Sequence, residues 1–300
     1  MGVDAECVRF LVATKKAGIP FTDTLTLGRH WLFAKPKMVQ ECLASLGIKA
    51  PVAESLWADG LWKSLGAQKL DFMDHSSYEG ATILQDLSKP VPKELHQSYD
   101  FVFDGGTLEH VYNFPVGIEN FMNLCRTGGC VCLWTPANNE CGHGFYQFSP
   151  ELFFRLFSPI NGFRLLSMIL VEKRPFSSRW YEVRDPADIN ARVCCVNRHP
   201  LFMMILAKKT RELEPGGLSV FQSDYIEAWD PSQQGGVELP LQRVSRSVVD
   251  YKRWLRAIQK KLPRRMAETL LGMYSTYVVR RLANRAFFRR VNKFTYLIVD

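Results

Sequence analysis

The sequence predicts an α/β fold in which helices flank a mostly parallel sheet. Short runs of β-branched and apolar residues alternate with helix-like segments along the first 209 residues. Several of these runs end in glycine or aspartate, which favour turns. The run over 130–134 is apolar throughout, as expected of a strand covered on both faces. Strands that alternate with helices in this way are typical of a parallel sheet with crossover helices.

The first hundred residues contain the opening units of this alternation. Thr24-Leu-Thr-Leu27 combines β-branched and apolar residues, and Gly28 ends it. Gly47 and Gly66 follow two helix-like segments, and glycine is the usual residue just after a helix C-terminus. The elements predicted here are a helix over 6–18, a strand over 24–27, helices over 37–46 and 52–65, and strands over 69–73 and 81–84.

The next hundred residues continue the pattern. Ser149 and Pro150 form a strong helix start, with serine as the N-cap and proline at the first helical position. The segment Thr127-Gly-Gly129 is predicted to be a turn before a strand. The elements predicted here are a strand over 99–103, a helix over 116–124, a strand over 130–134, a helix over 149–157, and strands over 163–171 and 201–207.

Composition is that of a globular protein. Hydrophobic residues make up 47% of the 300-residue chain and charged residues 23%. No apolar stretch approaches the roughly 18 residues that span a bilayer, and the first residues do not resemble a secretory signal. We therefore expect a cytoplasmic chain. Its eight cysteines, several of them inside apolar runs, are expected to be reduced.

The positive charge is concentrated near the end of the sequence. Residues 241–300 contain 15 Lys/Arg and 3 Asp/Glu, whereas the whole chain has a net charge of +8. We predict a Rossmann-like domain over 1–209, a linker over 210–244 and a basic helical extension over 245–300, with helices at about 245–261 and 264–290. The extension could bind an anionic membrane surface, or it could present a solvated helical face whose aromatic residues pack on the domain or on a partner subunit, and the second interpretation is favoured. Nucleic acid is disfavoured because no compact binding motif is present.

Topology predicts where a ligand binds. In open α/β sheets, ligands lie beyond the carboxyl ends of the strands. The loops that follow the predicted strands therefore form the candidate site. They are the loops around Gly28, Asp74, Asp86, Asp104–His110 and 135–147.

Motifs in these same loops resemble those of class I S-adenosylmethionine-dependent methyltransferases, and especially of a bacterial subgroup with an atypical first glycine loop. The motifs span about residues 20–208. They are Asp74-His-Ser-Ser-Tyr-Glu-Gly-Ala81, Ser98-Tyr-Asp-Phe-Val-Phe-Asp-Gly-Gly-Thr-Leu-Glu-His-Val111, Thr127-Gly-Gly129 and Thr135-Pro-Ala-Asn-Asn139 with Gly142-His-Gly-Phe-Tyr-Gln-Phe-Ser-Pro-Glu-Leu152.

The resemblance implies S-adenosylmethionine as cofactor and assigns roles by position. Asp74 would hold the ribose hydroxyls, which a carboxylate can accept bidentately. Asp86 would contact the adenine amino group. The segment 104–108 would flank the methionine part of the donor. The cofactor-binding residues predicted in this way are Gly28, Asp74, Asp86, Asp104, Gly105, Gly106 and Glu109.

Each assignment has a simpler structural alternative. Asp74 could be a helix N-cap and Asp86 a turn residue before Ser88. The two glycines, Gly105 and Gly106, suit a tight turn as well as a close approach to a ligand. Glu109 could be a carboxylate that favours a helix start.

The first loop departs from the family pattern. An acidic residue followed by Gly-x-Gly is usual there, whereas this chain has Thr24-Leu-Thr-Leu-Gly28-Arg29. Either Gly28 alone allows the close approach, or the cofactor lies differently, or the donor site has been lost. An arginine beside a sulfonium would be repulsive, although Arg29 could pair with the methionine carboxylate.

Three residues are the catalytic candidates. His143, in the glycine-flanked Gly142-His-Gly144, is placed to act as a general base because imidazole titrates near neutral pH. His110 is a second candidate, and Tyr146 could orient an acceptor. The alternative is a structural loop whose aromatic residues fill the core. We predict no metal site, since Cys130, Cys132, Cys141 and His143 lack a standard zinc spacing.

Two functions are compatible with these residues. The first is methyl transfer to a small-molecule or saccharide acceptor. The second is a non-catalytic Rossmann-like module that has lost the donor site and serves in an assembly. A nicotinamide-dependent oxidoreductase is disfavoured because no Gly-x-Gly-x-x-Gly opens a helix after a strand.

Overall fold

A computed structural model describes residues 2–49, 56–189, 191–213, 217–225 and 281–298, with five single residues between 263 and 273. The helices are α1 Ala5–Lys16, α2 Pro36–Ala44, α3 Asp59–Leu65, α4 Phe114–Leu124, α5 Pro150–Leu156 and α6 Pro186–Ile189. The strands are β1 Gly2–Val3, β2 Asp23–Leu27, β3 Trp31–Leu32, β4 Lys69–Asp74, β5 Ile83–Leu84, β6 Tyr99–Asp104, β7 Cys125–Asn138, β8 Phe163–Glu172, β9 Arg179–Val183, β10 Leu201–Lys209 and β11 Phe288–Val291.

The central sheet has nine strands in the order β11-β9-β8-β10-β7-β6-β2-β4-β5. β5, β4, β2, β6 and β7 are parallel neighbours. β10 lies antiparallel between β7 and β8, and β9 is antiparallel to β8 and β11. All strands except β9 and β10 therefore run in one direction, and the predicted Rossmann-like fold with a mostly parallel sheet is confirmed.

The winding of the chain reverses between β2 and β6. From β2 the chain passes through α2 and α3 to β4 and then to β5, whereas from β6 it passes through α4 to β7 on the other side. Such a topological switch point leaves a crevice outside the carboxyl ends of the two strands that flank it. The fold therefore marks the ends of β2 and β6, at Leu27 and Asp104, as the place for a ligand.

Helices cover both faces of the sheet. Phe101 and Phe103 of β6 pack in one core with α1, α2 and α3, whereas Val102 packs in the other with α4 and α5. This alternation follows from the two-residue period of a strand, and both sets of side chains are buried. The run over 130–134 alternates in the same way, so its lack of polar residues has the predicted cause.

The first helix shows how local sequence sets the element bounds. The Asp4 side chain accepts hydrogen bonds from the backbone N–H groups of Glu6 and Cys7, as an N-cap does. Lys15 and Lys16 lie in the last turn, where their positive charges interact favourably with the negative carboxyl end of the helix dipole. Gly18, at a φ of 80°, then turns the chain towards β2.

The start of β7 corrects one detail of the sequence prediction. The segment Thr127-Gly-Gly129 lies inside β7, which begins at Cys125, and is not a turn before the strand. The pairing of β6 with β7 shifts register between Tyr99 and Phe101, and Gly128 has a φ of 87°. β7 therefore accommodates the glycines through an irregularity in its pairing with β6.

The end of the chain is the larger correction. Residues 288–291, of which 288–290 were predicted as the end of a helix, form β11 and pair with β9. Arg289 forms an ion pair with Glu182 of β9, and Lys293 contacts the Glu6 carboxylate of α1 at 3.0 Å. The predicted helix over 245–261 lies outside the described residues, as does most of the helix over 264–290. The domain boundaries at 209 and 244 stay predictions. Among the described residues, no helix is both long and apolar enough to cross a bilayer.

A buried lysine ties the sheet to α4. Lys209, at the end of β10, is 1% exposed, and its Nζ donates hydrogen bonds to the carbonyl oxygens of Met122 and Cys125 at 3.0 and 2.8 Å. These carbonyls belong to the end of a helix, where they lack partners within the helix. Burial lowers the pKa of Lys209, and the two carbonyls satisfy its ammonium.

We predict that Lys209→Ala lowers the free energy of unfolding by about 2–4 kcal/mol, because it leaves buried carbonyls unpaired and opens a cavity. Urea unfolding measures the change. Lys208→Ala, on the opposite face of the same strand, is the matched control and is expected to change stability by less than about 1 kcal/mol. Equal losses in the two variants would contradict the role given to Lys209.

Candidate active site at the carboxyl edge of the sheet

The sequence-predicted site residues lie at one edge of the sheet. Asp74 and Asp104 are the last residues of β4 and β6, and Gly28 directly follows β2. Asp86 comes two residues after β5, and the loop with His143 follows β7. Because these five strands are parallel, their carboxyl ends meet at this edge.

The turn after β6 is held across the switch point. The Thr107 hydroxyl donates to the carbonyl oxygen of Leu27 at the end of β2, at 2.7 Å. Oδ1 of Asp104 accepts the Thr107 N–H at 2.8 Å. Gly106 has a φ of 100°, so the turn requires its glycine. These contacts fix the ends of β2 and β6 relative to each other.

Asp104 is a buried carboxylate with an unused acceptor. The residue is 0% exposed, and among the described residues its Oδ2 has no hydrogen-bond partner. Burial, and then the charge of Glu109, raise the pKa of Asp104 well above its usual value. A buried carboxylate is stabilised by a donor or a cation, so Oδ2 fits a positively charged group of a ligand.

The atypical first loop directs its arginine away from the switch point. Arg29 forms a 2.6 Å ion pair with Asp59 of α3. Its guanidinium lies over the rings of Trp57 and Phe72, at 4.7 and 5.3 Å from their centroids. Asp59 is therefore the carboxylate that Arg29 pairs with in this structure, and its pairing with a donor carboxylate stays a prediction.

The arginine also packs under the loop after β4. A Cβ atom on Gly80 would lie 3.1 Å from Nη1 of Arg29, so the two segments are in close contact. Gly28 itself has a φ of 76°, and its N–H donates to the carbonyl of Met73 at 2.7 Å. Gly28 therefore makes the turn that sends Arg29 towards α3.

Asp74, at the end of β4, and Asp86, two residues after β5, differ in their surroundings. Asp74 is half-buried, and its Oδ1 accepts a long 3.3 Å hydrogen bond from the Ser76 N–H. Asp86 accepts both the N–H and the hydroxyl of Ser88, and pairs with Lys89 at 3.2 Å. These hydrogen bonds to Ser88 lower the pKa of Asp86 to about 2. Asp86 thus makes the turn considered from the sequence, while Asp74 is less engaged.

Sequence reasoning missed a buried histidine in the first loop. His30 is 1% exposed, and among the described residues neither of its ring nitrogens has a partner. Its ring packs edge-on against Phe103, and a Cβ on Gly105 would lie 2.6 Å from its Nε2. Gly105 is therefore required by the packing of His30. No local signal marks His30 as buried, because Gly-Arg-His reads as a polar loop.

Glu109, His110 and His143 come together beside this turn. Glu109 is 0% exposed, and its Oε1 lies 3.2 Å from Nε2 of His143. The rings of His110 and His143 have centroids 5.2 Å apart. Burial raises the pKa of Glu109 to about 7. Burial, and then the nearby His143, lower the pKa of His110. The three side chains form a cluster of titratable groups, which we call the Glu–His cluster.

Backbone contacts hold the cluster. The Glu109 carbonyl accepts hydrogen bonds from the N–H groups of Phe145 and Tyr146, at 2.8 and 3.2 Å. Gly144 has a φ of 74°, and a Cβ there would lie 2.8 Å from the Glu109 carbonyl oxygen. The loop after β7 is therefore fastened to Glu109, and this attachment positions His143. The two glycines around His143 had signalled a loop but not its partner.

Tyr146 is held by the main chain and by aromatic neighbours. Its hydroxyl donates to the Tyr112 carbonyl at 2.6 Å, and its ring packs against Phe114 and Phe148. It thereby supports an exposed aromatic pair formed by Tyr112 and Phe145, which are 79% and 69% exposed with centroids 6.2 Å apart. Whether Tyr146 orients an acceptor stays a prediction, with its hydroxyl already bonded to the main chain.

Comparison with known proteins gives a fold likeness and no family. No family model matches the sequence, and neither does any curated protein. Several similar solved structures are S-adenosylmethionine-dependent methyltransferases, the class that the sequence motifs resemble. The eight structures compared have TM-scores of 0.31 to 0.40.

Three of these structures illustrate the level of similarity. The Burkholderia thailandensis 1,6-didemethyltoxoflavin-N1-methyltransferase is 12% identical, with a TM-score of 0.40 over 69% of this chain and 79% of that one. A putative methyltransferase from Listeria monocytogenes is 13% identical, with a TM-score of 0.39 over 69% and 98%. The branched-chain polyamine synthase from Thermus thermophilus is 11% identical, with a TM-score of 0.37 over 72% and 59%. At this level the likenesses decide nothing about function, which must be argued from the chain's own side chains.

The buried His30 predicts a pH dependence of stability. Burial lowers its pKa to about 3 from an ordinary value of 6.5, so the unfolded state binds a proton first as the pH falls. Stability is therefore present above pH 6.5 and is lost as the pH falls towards 3. Between pH 7.5 and pH 5, His30 should account for a loss of about 2 kcal/mol.

Urea unfolding at the two pH values tests this prediction. His30→Leu should lose less stability over the interval than the wild type does, whatever its stability at pH 7.5. His75→Leu, an exposed histidine at the same sheet edge, is the control and should keep the wild-type slope. If the His30→Leu and wild-type slopes are equal, the burial argument is wrong.

The two glycines beside His143 form a matched pair. Gly144→Ala places a Cβ against the Glu109 carbonyl at a positive φ, and we predict a loss of about 1–3 kcal/mol in unfolding free energy. A Cβ on Gly142 meets nothing within 4 Å, so Gly142→Ala should change stability by less than about 0.5 kcal/mol. Thermal or urea unfolding compares the two, and equal effects would refute the attachment of the loop to Glu109.

Proposed function

We propose that this chain is an S-adenosylmethionine-dependent methyltransferase. The donor site would lie in the crevice between the ends of β2 and β6, and the acceptor beside the Glu–His cluster. The observation that carries the proposal is the unpartnered Oδ2 of the buried Asp104 at the switch point. An unpartnered buried carboxylate oxygen favours a cationic ligand, and this one lies close to a second set of titratable side chains.

The donor fits the charges at the crevice. S-adenosylmethionine carries an ammonium and a sulfonium, and when bound it supplies the methyl group that is bonded to its sulfonium sulfur. Asp104 would attract the ammonium, because a cation offsets the burial that raises the pKa of Asp104. Asp74, half-buried and engaged by one long hydrogen bond, is suited to accept the ribose hydroxyls. Gly28, Asp86, Gly105, Gly106 and Glu109 stay predictions as cofactor-binding residues.

The position of Arg29 removes one objection to this donor. An arginine in the first loop would repel a sulfonium if it faced the crevice. In this chain its guanidinium is paired with Asp59 and covered by aromatic rings. The bidentate contact with Asp59 that holds Arg29 there would not be disturbed by a cationic ligand at Asp104.

The acceptor side combines titratable and aromatic groups. Methyl transfer is an in-line displacement, so positioning of the acceptor accounts for most of the catalysis. The exposed Tyr112–Phe145 pair offers ring faces beside the Glu–His cluster, and such surfaces suit a ring-shaped small molecule, a saccharide included. If the acceptor is a hydroxyl, its proton must leave, and the cluster is where that activation would occur.

A second function is favoured by one observation. Arg29 packs closely against the loop that contains Gly80, next to the end of β2 where the donor would approach. Such filling of the first loop fits a non-catalytic module that has lost its donor site. The two functions differ in one measurable property, which is the affinity for the donor or its demethylated product.

Titration calorimetry with S-adenosylhomocysteine and S-adenosylmethionine tests the proposal. We predict binding in the micromolar range. Asp104→Asn, which keeps the shape of the side chain but cannot carry its negative charge, should fold but bind about tenfold more weakly. Asp188→Asn, an exposed acid away from the crevice, is the matched control and should bind as the wild type does.

His143→Ala separates the acceptor from the donor site. This variant should keep its affinity for S-adenosylhomocysteine, and should slow product formation from S-adenosylmethionine with a panel of hydroxyl-bearing ring compounds. Equal losses of affinity and turnover would contradict a role on the acceptor side. Absence of binding to either nucleoside in the wild type would favour the non-catalytic module.

A further inference from the structure

We propose that the Glu–His cluster is a binding site for a divalent transition-metal ion. Glu109, His110 and His143 each offer one ligand atom, and these atoms lie within 4.8 Å of one another. Two imidazole nitrogens and one carboxylate oxygen are an established donor set for such ions. This inference departs from the sequence prediction of no metal site, which had weighed only the set Cys130, Cys132, Cys141 and His143.

The separations are close to those that coordination requires. Nitrogen and oxygen ligands lie about 2.0–2.2 Å from zinc, which places neighbouring ligand atoms roughly 3.0–3.5 Å apart. Oε1 of Glu109 and Nε2 of His143 are already 3.2 Å apart. The side chain of His110 is at the surface, and its ring centroid is 5.2 Å from that of His143. A rotation of this exposed imidazole is enough to complete the set.

The burial of Glu109 is the second observation that points to a cation. A fully buried carboxylate is costly unless a cation or several hydrogen bonds compensate it. Its ionic partner is His143, and the Thr135 hydroxyl approaches Oε2 at a long 3.4 Å. A divalent ion at Oε1 would supply the missing charge, and Thr135 would then orient the carboxylate as residues behind metal ligands do.

The site is also held in place without the ion. Glu109 and His110 belong to the short 3₁₀ turn after β6, and His143 belongs to the loop after β7. The hydrogen bonds from Phe145 and Tyr146 to the Glu109 carbonyl join the two segments. Because the ligands come from segments that are already fastened together, an ion would bind with little rearrangement of the main chain.

The donor set selects the class of ion. Calcium and magnesium prefer oxygen ligands, whereas imidazole favours zinc, iron, cobalt and related ions. Cys130 and Cys132 do not compete for the ion, because both are buried in the sheet core and burial raises the pKa of their thiols. Three protein ligands leave a coordination position open, as in catalytic rather than structural sites.

The open position gives the ion a role that rests on the proposed function. An acceptor hydroxyl that binds there would have its pKa lowered, so that its O–H bond breaks and the proton passes to solvent. The oxygen would then be a nucleophile for the methyl group. His143 would act as a ligand and position the ion, and the acceptor class would be hydroxyl compounds rather than amines.

Direct metal binding tests the site. The full-length chain, stripped with EDTA and dialysed, would be titrated with CoCl₂ and ZnCl₂ and followed by calorimetry, elemental analysis and the visible absorption of Co²⁺. We expect about one ion per chain, and a spectrum without a thiolate charge-transfer band. The double variant His110→Ala/His143→Ala should bind at least about a hundredfold more weakly.

Two control variants and one variant behind the ligands complete the test. His75→Ala removes an exposed histidine at the same edge and should bind as the wild type does. Cys141→Ser removes the exposed thiol nearest in sequence and should also leave binding unchanged. Thr135→Val leaves all three ligands in place and should weaken binding about tenfold through the orientation of Glu109. Circular dichroism would establish that each variant is folded.

The outcomes separate this inference from the proposed function. Metal binding that is equal in the wild type and in the double histidine variant would overturn the site, as would no binding to the wild type. Titration of the same metal-free protein with S-adenosylhomocysteine is scored independently. Metal binding without nucleoside binding would leave the site standing and defeat methyl transfer, whereas the reverse result would defeat the metal site alone.

Discussion

The parallel pairing of β2 with β6 is the constraint on which the candidate site depends. It places Leu27 opposite Asp104, and the Thr107 hydroxyl links the two strand ends by donating to the Leu27 carbonyl. Because the chain leaves these two strands in opposite directions, no connecting segment fills the space beyond them. The position of the crevice is therefore a property of the winding, and the side chains around it decide what it binds.

Two buried carboxylates lie close together in the chain, Asp104 at the end of β6 and Glu109 in the turn that follows. Burial raises the pKa of both Asp104 and Glu109, and the charge of Glu109 raises the pKa of Asp104 further. Keeping both in one turn costs stability unless ligands or partners compensate them. The proposals made for the two acids, a cationic donor at Asp104 and a metal ion at Glu109, are answers to the same electrostatic problem. Each introduces positive charge where the fold has concentrated negative charge.

Much of the fold could be predicted because it depends on local periodicity. The strand ends that carry Asp74 and Asp104 were placed within a residue, since apolar runs and turn residues mark them in the sequence. The common edge of the candidate residues followed from the parallel order. The sequence thus predicted which loops meet, and this part of the site needed no knowledge of side-chain contacts.

Contacts between distant segments could not be predicted. Arg29 turns towards α3 because Asp59 lies there, thirty residues further on, and nothing near Arg29 announces this partner. His143 lies beside Glu109 because the N–H groups of Phe145 and Tyr146 donate to the Glu109 carbonyl, and no sequence spacing encodes these hydrogen bonds. The strand β11 was mistaken for helix because Phe-Arg-Arg-Val reads as basic surface, whereas its pairing with β9 and the Arg289–Glu182 ion pair stabilise it at the sheet edge.

The return of the chain to the sheet at β11 changes what the basic region is. The Ser223 N–H donates to Glu151, residues 288–291 pair with β9, and Ile298 is buried in the core beyond them. The described segments on both sides of residues 226–280 are therefore attached to the domain. A deletion from residue 241 onward would remove an edge strand together with the basic charge.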